Sequence, residues 1–267
     1  MKKLLLPPLL ILLLIACADT TSIVSSSGPH LRQRASLSTE VTTSSAGGHV
    51  MPAAYASMMG EVNNIWPHAR ANMRYQQVFL GSELGMDRIS GLCLRHDEAL
   101  GGRQLTEHLT VKLGPTQLDN TNLGNTFDAN YSDTPTQVFS GDVLIPATTG
   151  AGTLDSFDFC IEFTTEYTHP AGSNLIVEIV NTTPTSLSHA KDACAAGSAT
   201  CTTRRVLAFS AAATTATFAD NSGLVMSFVT ADPEEKVDCT EDRWLDFGFR
   251  NQGQCIRFVE TGKDSRQ

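Results

Sequence analysis

Short runs that alternate in polarity, each closed off by Gly, Pro, Asn or Asp, leave this chain few ways to fold. RYQQVFL (74–80) sets Tyr75, Gln77 and Phe79 against Gln76, Val78 and Leu80, with β-formers on both faces. DRISGLCLRH (87–96) alternates Ile89, Gly91 and Cys93 with Ser90, Leu92 and Leu94. LTEHLTVKL (105–113), TQVFSG (136–141), SFDFCIEFTTEY (156–167), NLIVEIVN (174–181), RRVLAFS (204–210) and GLVMSFVT (223–230) continue the series. Successive side chains on an extended backbone point to opposite faces, so a period of two rich in β-branched and aromatic residues marks strands. No segment keeps an apolar period near 3.6 residues, the spacing of an amphipathic helix. The expected fold is all-β, an antiparallel β-sandwich of jelly-roll type with a small C-terminal disulfide hairpin.

The N-terminus supplies an address. Met1-Lys2-Lys3 is a short basic start, and residues 4–15 are apolar throughout, broken only by Pro7-Pro8. Twelve residues at 1.5 Å rise reach about 18 Å, short of the roughly 30 Å of a bilayer core. The segment therefore reads as the apolar region of an export signal. Ala16-Cys17-Ala18 meets the small-x-small rule of ordinary signal peptidase, which would discard Cys17 with the peptide. Leu14-Ile15-Ala16-Cys17 also resembles the bacterial lipobox, in which the cysteine thiol takes a diacylglycerol and becomes the new N-terminus. Lipidation at Cys17 is the expected outcome, making the protein a membrane-anchored lipoprotein at the bacterial envelope or cell surface. Plain secretion is the alternative.

Setting Cys17 aside leaves six cysteines: Cys93, Cys160, Cys194, Cys201, Cys239 and Cys255. An even set in an exported chain suggests disulfides. Close spacing favours Cys194–Cys201 and Cys239–Cys255, which leaves Cys93–Cys160 as the long-range pair. Two buried free thiols are the alternative for that last pair. No C-x-x-C occurs, so neither a thioredoxin-like motif nor a zinc knuckle is indicated.

Without Lys2 and Lys3 the basic residues fall from 19 to 17 against 28 acids, a mature charge of −11. Such a chain does not hold a phosphate backbone by general electrostatics, so nucleic acid is excluded as a partner. Residues 19–48 include thirteen Ser or Thr and few large apolar side chains. That composition cannot bury enough surface to offset its ordering entropy. The chain thus divides into an export signal (1–17), a Ser/Thr-rich tether (18–50), a sandwich (51–231) and a C-terminal cysteine-bridged element (232–267).

RYQQVF, ISGLCLRHD, TFDANYSDTPTQVFSG, SFDFCIEFTTEYTHPAGSNLIVEIVN and TFADNSGLVMSF, in that order over residues 74–228, resemble a module of bacterial secreted proteins. The module is common in surface proteins with PEP-CTERM sorting tails. The resemblance implies an extracellular β-sandwich without established catalytic residues. This chain departs from the pattern in its N-terminal address and in the added SHAKDACAAGSATCTT (188–203). A second resemblance covers residues 239–263. CTEDRWLDFGFRNQGQCIRFVETGK is similar to a short C-terminal element of bacterial secreted proteins, in which a cysteine and a Trp precede F-x-N-Q-G-x-C-I-x-F-V-x-T-G-K. Its residues read as strands at 244–249 and 254–260 about a turn at 250–253, where Asn251 and Gly253 suit positive φ. An isolated hairpin is marginal, and a Cys239–Cys255 bridge closing about sixteen residues adds roughly 3 kcal/mol.

Three groups are candidate sites. In RHDEALGGRQLTEH (95–108), His96 and His108 would meet across a hairpin turning at Gly101-Gly102 and hold a metal with Asp97 or Glu107; a plain solvated hairpin is the simpler reading. In LDNTNLGNTFDANYSD (118–133), Asp119, Asn122, Asp128, Asn130 and Asp133 offer oxygens suited to a structural calcium ion. The same residues also cap turns by bonding their own backbone. Trp66, Tyr131 and Tyr167 are the rings placed to stack on sugars, with core packing as the alternative for each. No G-x-S-x-G or H-E-x-x-H occurs. The expected function is therefore that of a non-catalytic, lipid-anchored surface or matrix protein engaged in adhesion or glycan contact, with a glycan or another surface protein as partner. A secreted hydrolase with an unrecognised site and a purely structural envelope component are the alternatives. An exposed aromatic patch favours glycan contact, and a cleft of converging acids and a histidine favours the enzyme.

Overall fold

The computed structural model describes residues 48–68, 70–184, 189–230, 232–233, 236–241, 243–245, 247–263 and 265. The export signal, Cys17 and the tether up to residue 47 lie outside the described residues. The strands are β1 (His49–Met51), β2 (Val62–Asn64), β3 (Met73–Phe79), β4 (Arg88–Leu94), β5 (Leu105–Thr116), β6 (Thr136–Ile145) and β7 (Phe159–Thr168). They continue with β8 (Asn174–Asn181), β9 (Lys191–Cys194), β10 (Arg204–Ala208), β11 (Phe218–Asp220), β12 (Gly223–Leu224) and β13 (Met226–Val229).

These strands form a four-stranded sheet in the order β1-β13-β4-β7 and a six-stranded sheet in the order β11-β10-β3-β8-β5-β6. A small third sheet, β12-β9-β2, completes the set, and every described pairing is antiparallel. Leu92, Leu94, Phe159, Ile161 and Phe228 from the four-stranded sheet share one buried cluster with Tyr75, Phe79, Leu109, Val111, Val177 and Ile179 from the six-stranded sheet. The molecule is therefore an antiparallel β-sandwich, as the alternating runs predict. The first strand starts earlier than the assigned tether allows: His49 pairs with Phe228 and Met51 with Met226.

β3 explains why RYQQVFL carries β-formers on both faces. All seven of its residues are buried. Met73, Tyr75 and Phe79 enter the main core, while Val78 joins a second cluster with Leu123, Phe127, Ile176 and Val206. Leu123 and Phe127 come from the segment between β5 and β6, which thus roofs the outer face of the six-stranded sheet. Under that roof Glu178 is fully buried, opposite Gln76 on one side and Lys112 on the other. Its carboxylate accepts from Arg74 Nε (3.0 Å), Gln76 Nε2 (2.7 Å) and Lys112 Nζ (3.2 Å). An unpaired buried carboxylate is expensive, and three donors on neighbouring strands remove that cost.

Two local expectations fail. Residues 95–104 do not form a hairpin, because β4 and β5 belong to different sheets and the segment crosses between them. Gly102 bridges to Thr148 and to His189 on the way. The C-terminal element is not a pair of strands: residues 243–245 form one 3-10 turn, and Gln252–Thr261 is an α-helix, α2 (after the short α1, Gly81–Leu84). Asn251 is its N-cap, its side chain accepting from Gln254 N at 2.9 Å, and Gly262 ends it at φ 67°. Asn and Gly here serve a helix start and stop rather than a hairpin turn. Cys255, Ile256, Phe258 and Val259 pack with Cys239, Trp244, Phe247 and Phe249 in a separate small core.

All three cysteine pairs are joined. Cys93 and Cys160 stand directly opposite on β4 and β7, with Cα atoms 4.0 Å apart. Cys194–Cys201 closes the loop of the inserted segment, and Cys239–Cys255 ties the tail helix to the turn before it.

Candidate functional site

The main core reaches the surface where three segments bring aromatic rings together. Trp66 is half-buried and packs against that core. Asn64 holds its backbone from both sides, accepting from Trp66 N (3.0 Å) and donating to Trp66 O (2.9 Å). Phe209 follows β10 and Phe218 opens β11. Their ring centroids lie 5.8 and 5.5 Å from that of Trp66, both edge-on. Edge-to-face contact at this separation is favourable, because a ring's positive rim meets a neighbour's negative face. Phe209 remains 47% exposed and Phe218 40%.

Two guanidiniums frame these rings. Arg205 lies 5.2 Å from the Trp66 ring and 6.0 Å from that of Phe218. It also grips Asp220, its register partner on β11, through two bonds of 2.8 and 3.0 Å. That fork fixes the guanidinium and so the face of Trp66 that it covers. Arg70 lies 4.7 Å over the Phe209 ring and is exposed. Phe209 and Phe218 escape a reading that looks only for Trp and Tyr. The signal for Phe209 is positional: it extends the alternation Arg205, Leu207, Phe209 past the end of its strand, where the core runs out.

The other two candidate rings do not join this platform. Tyr131 lies on Gly114, where a β-carbon would come within 2.5 Å of the ring. It also lines a cavity of about 330 Å³ with Asp128, Ser132, Asp133, Thr134 and Pro135. Its hydroxyl is buried, and burial raises its pKa strongly. Tyr167 is buried against the core, and burial pushes its pKa up to about 12.

The five calcium candidates are occupied by turn and roof chemistry. Asp119 accepts from Thr121 N and Oγ1 at 2.8 and 2.6 Å, and Asn122 accepts from Asp119 N at 2.7 Å. Asp128 takes Arg74 at 2.6 Å, and Asp133 accepts from Thr134 N. Asn130 is buried, accepting from Gly124 N and donating to Gly124 O and Gln76 Oε1. Among the described residues no three His, Cys, Asp or Glu side chains are grouped so as to hold a metal ion.

His96 and His108 are likewise not brought together. His108 pairs with Asp142 on the solvent side of β5, and Asp97 caps the backbone of Ala99 and Leu100. Glu107 and His96 instead enter a cluster that the sequence does not reveal. His68 Nδ1 lies 2.9 Å from Glu107 Oε2, and His96 Nδ1 lies 2.8 Å from Asp158 Oδ2. His189 Nε2 donates to Pro146 O at 2.8 Å, which leaves its Nδ1 a bare acceptor. Lys191 is buried, with Nζ 4.9 Å over the Phe159 ring. Burial lowers the Lys191 pKa to about 8, against the opposing pull of Asp158 and Glu107. Burial, with Lys191 next in weight, lowers that of His189 to about 4. Only His96 and Asp158 reach the surface, with side chains 12% and 31% exposed. These are acids, histidines and a lysine packed inside a wall rather than converging on a cleft.

No family model, no curated protein and no solved structure matches this chain.

Proposed function

We propose that this chain is a non-catalytic bacterial envelope protein, exported and held to a membrane by acyl chains on Cys17, that contacts glycans through Trp66, Phe209 and Phe218. The observation that carries this reading is the exposure of two phenylalanines around a half-buried tryptophan. Clustered exposed rings are unusual on a solvated surface and mark contact sites. The C–H face of a pyranose is apolar, its hydroxyls lie at the rim, and adjoining rings flanked by guanidiniums complement both. The basic start, the twelve-residue apolar run and the lipobox-like Leu14 to Cys17 support the anchor. The resemblance to secreted surface modules supports an extracytoplasmic role. The enclosure of the histidine–carboxylate cluster favours this reading over a hydrolase.

The test is a glycan array probed with the intact mature protein, repeated with Phe209→Ala/Phe218→Ala. Binding that falls at least tenfold in the double variant, with unchanged melting, supports the proposal. Absence of binding to every glycan removes it. For the anchor, radiolabelled fatty acid enters the wild-type protein, and label retained in Cys17→Ser would sink that part.

A further inference from the structure

Resting on the reading of this platform as a glycan surface, we infer that its ligand is a carboxylated polysaccharide built of uronic acids, with Arg70 as the residue that grips the sugar carboxylate. Arg74, Arg88, Arg95 and Arg205 each hold a carboxylate at 2.6 to 2.8 Å. Arg70 has no carboxylate partner among the described residues and lies instead, exposed, over the ring of Phe209. What sets Arg70 apart is its place: an exposed guanidinium beside three clustered rings, in a chain whose acids outnumber its bases by 28 to 19.

Stacking on Phe209 keeps the guanidinium near the ring while its N–H edge remains open to an acceptor in the same plane. A uronic acid presents the matching pair of features. Its ring carbons offer an apolar face to phenylalanine, and its carboxylate, attached directly to the ring, projects from the rim within reach of a neighbouring guanidinium. Arg205 is excluded from this role because Asp220 already occupies its fork. Its part is to hold the Trp66 face in place. A carboxylate-to-guanidinium bond is charge-assisted and planar, so it discriminates against neutral sugars.

The experiment compares the intact mature protein on polygalacturonate, alginate and hyaluronan, each as the free acid and as the methyl ester. Esterification removes the charge and leaves the sugar backbone. At least one acid should bind, and its ester about tenfold more weakly, a difference of about 1.4 kcal/mol. Arg70→Gln should lower affinity for the acid by the same factor and for the ester by much less, so that acid and ester bind alike, with melting as in the wild type. Equal binding to acid and ester, preference for neutral glycans, or stronger binding to dextran sulfate overturns the inference while sparing the glycan reading. Acid binding that survives Phe209→Ala/Phe218→Ala also overturns it, as charge attraction elsewhere. Failure to bind any glycan, with or without binding to anionic phospholipid vesicles, ends both.

Discussion

His68 Nδ1 stands 2.9 Å from Glu107 Oε2, and both side chains are completely removed from solvent. Thirty-nine positions separate them in sequence. The first lies in the turn after Trp66 and the second on the inward face of β5, where its neighbours Leu105 and Leu109 belong to the main core. Removing one member strands the other in a low-dielectric interior. Glu107→Ala should therefore cost about 3–5 kcal/mol, whereas His68→Phe with Glu107→Met should recover most of that loss. Urea melts of the two variants check this. Equal destabilisation by the single and double changes would show that shape, not the pair, holds this region.

The buried cluster also predicts how stability follows pH. Burial lowers Lys191 to about 8, below its ordinary 10.5. Between those values the unfolded chain binds more protons, so stability rises with pH across that window, by up to about 3 kcal/mol. Burial, then Lys191, lowers His189 to about 4 from 6.5, so stability falls as pH drops from 6.5 toward 4. Lys191→Met should flatten the alkaline limb, and His189→Gln the acidic one. Denaturant midpoints measured from pH 4 to 11 read both limbs.

Asn130 should govern the roof over the six-stranded sheet. Its amide makes all of the described links from Gly124 N and O to Gln76. Asn130→Ala leaves the buried Gln76 Oε1 without this partner, at about 1–3 kcal/mol when unsatisfied, and releases the half-buried Gly124 N and O. The expected result is a drop of that order in global stability together with new proteolytic cleavage within residues 117–135. Cleavage unchanged from wild type would assign the roof's stability to Phe127 and Leu123 alone.

Tail and sandwich should separate energetically. The tail has its own core and its own disulfide, with Arg88 to Asp238 at 3.7 Å as one link to β4. Arg88 also holds Glu166 at 2.6 Å, so it keeps a partner when the tail is absent. Truncation after Ala231 should leave sandwich melting within about 1 kcal/mol, the scale of a surface change. Unfolding of the truncated protein would make the tail part of the main domain. Asn251→Ala should lower tail stability by about 1 kcal/mol through the lost cap, which hydrogen exchange at α2 measures.

The strands were legible in sequence because alternation is a local property. Tyr75, Phe79, Leu109, Val111, Val177 and Ile179 declare their face by spacing alone, and the even set of cysteines indicated their bridges. The tail reads as strands because Ile256, Phe258 and Val259 are β-formers, although Cys255, Phe258 and Val259 also fall at i, i+3 and i+4 between a capping Asn251 and a closing Gly262. An isolated helix of ten residues is marginal in water; the bridge to Cys239 and packing on Phe247 and Phe249 decide its form. Candidate sites depended still more on assembly. Asp119 and Asn122 carry the same oxygens whether they bind calcium or cap a turn, and the fold turns them onto the backbone. Trp66, Phe209 and Phe218 become one surface only when β10, β11 and the turn after β2 meet. Glu107 alternates like a core residue, and only the tertiary structure brings His68 to pair with it. Spacing along the chain fixes which face a side chain takes; the partner it finds there depends on contacts between distant segments.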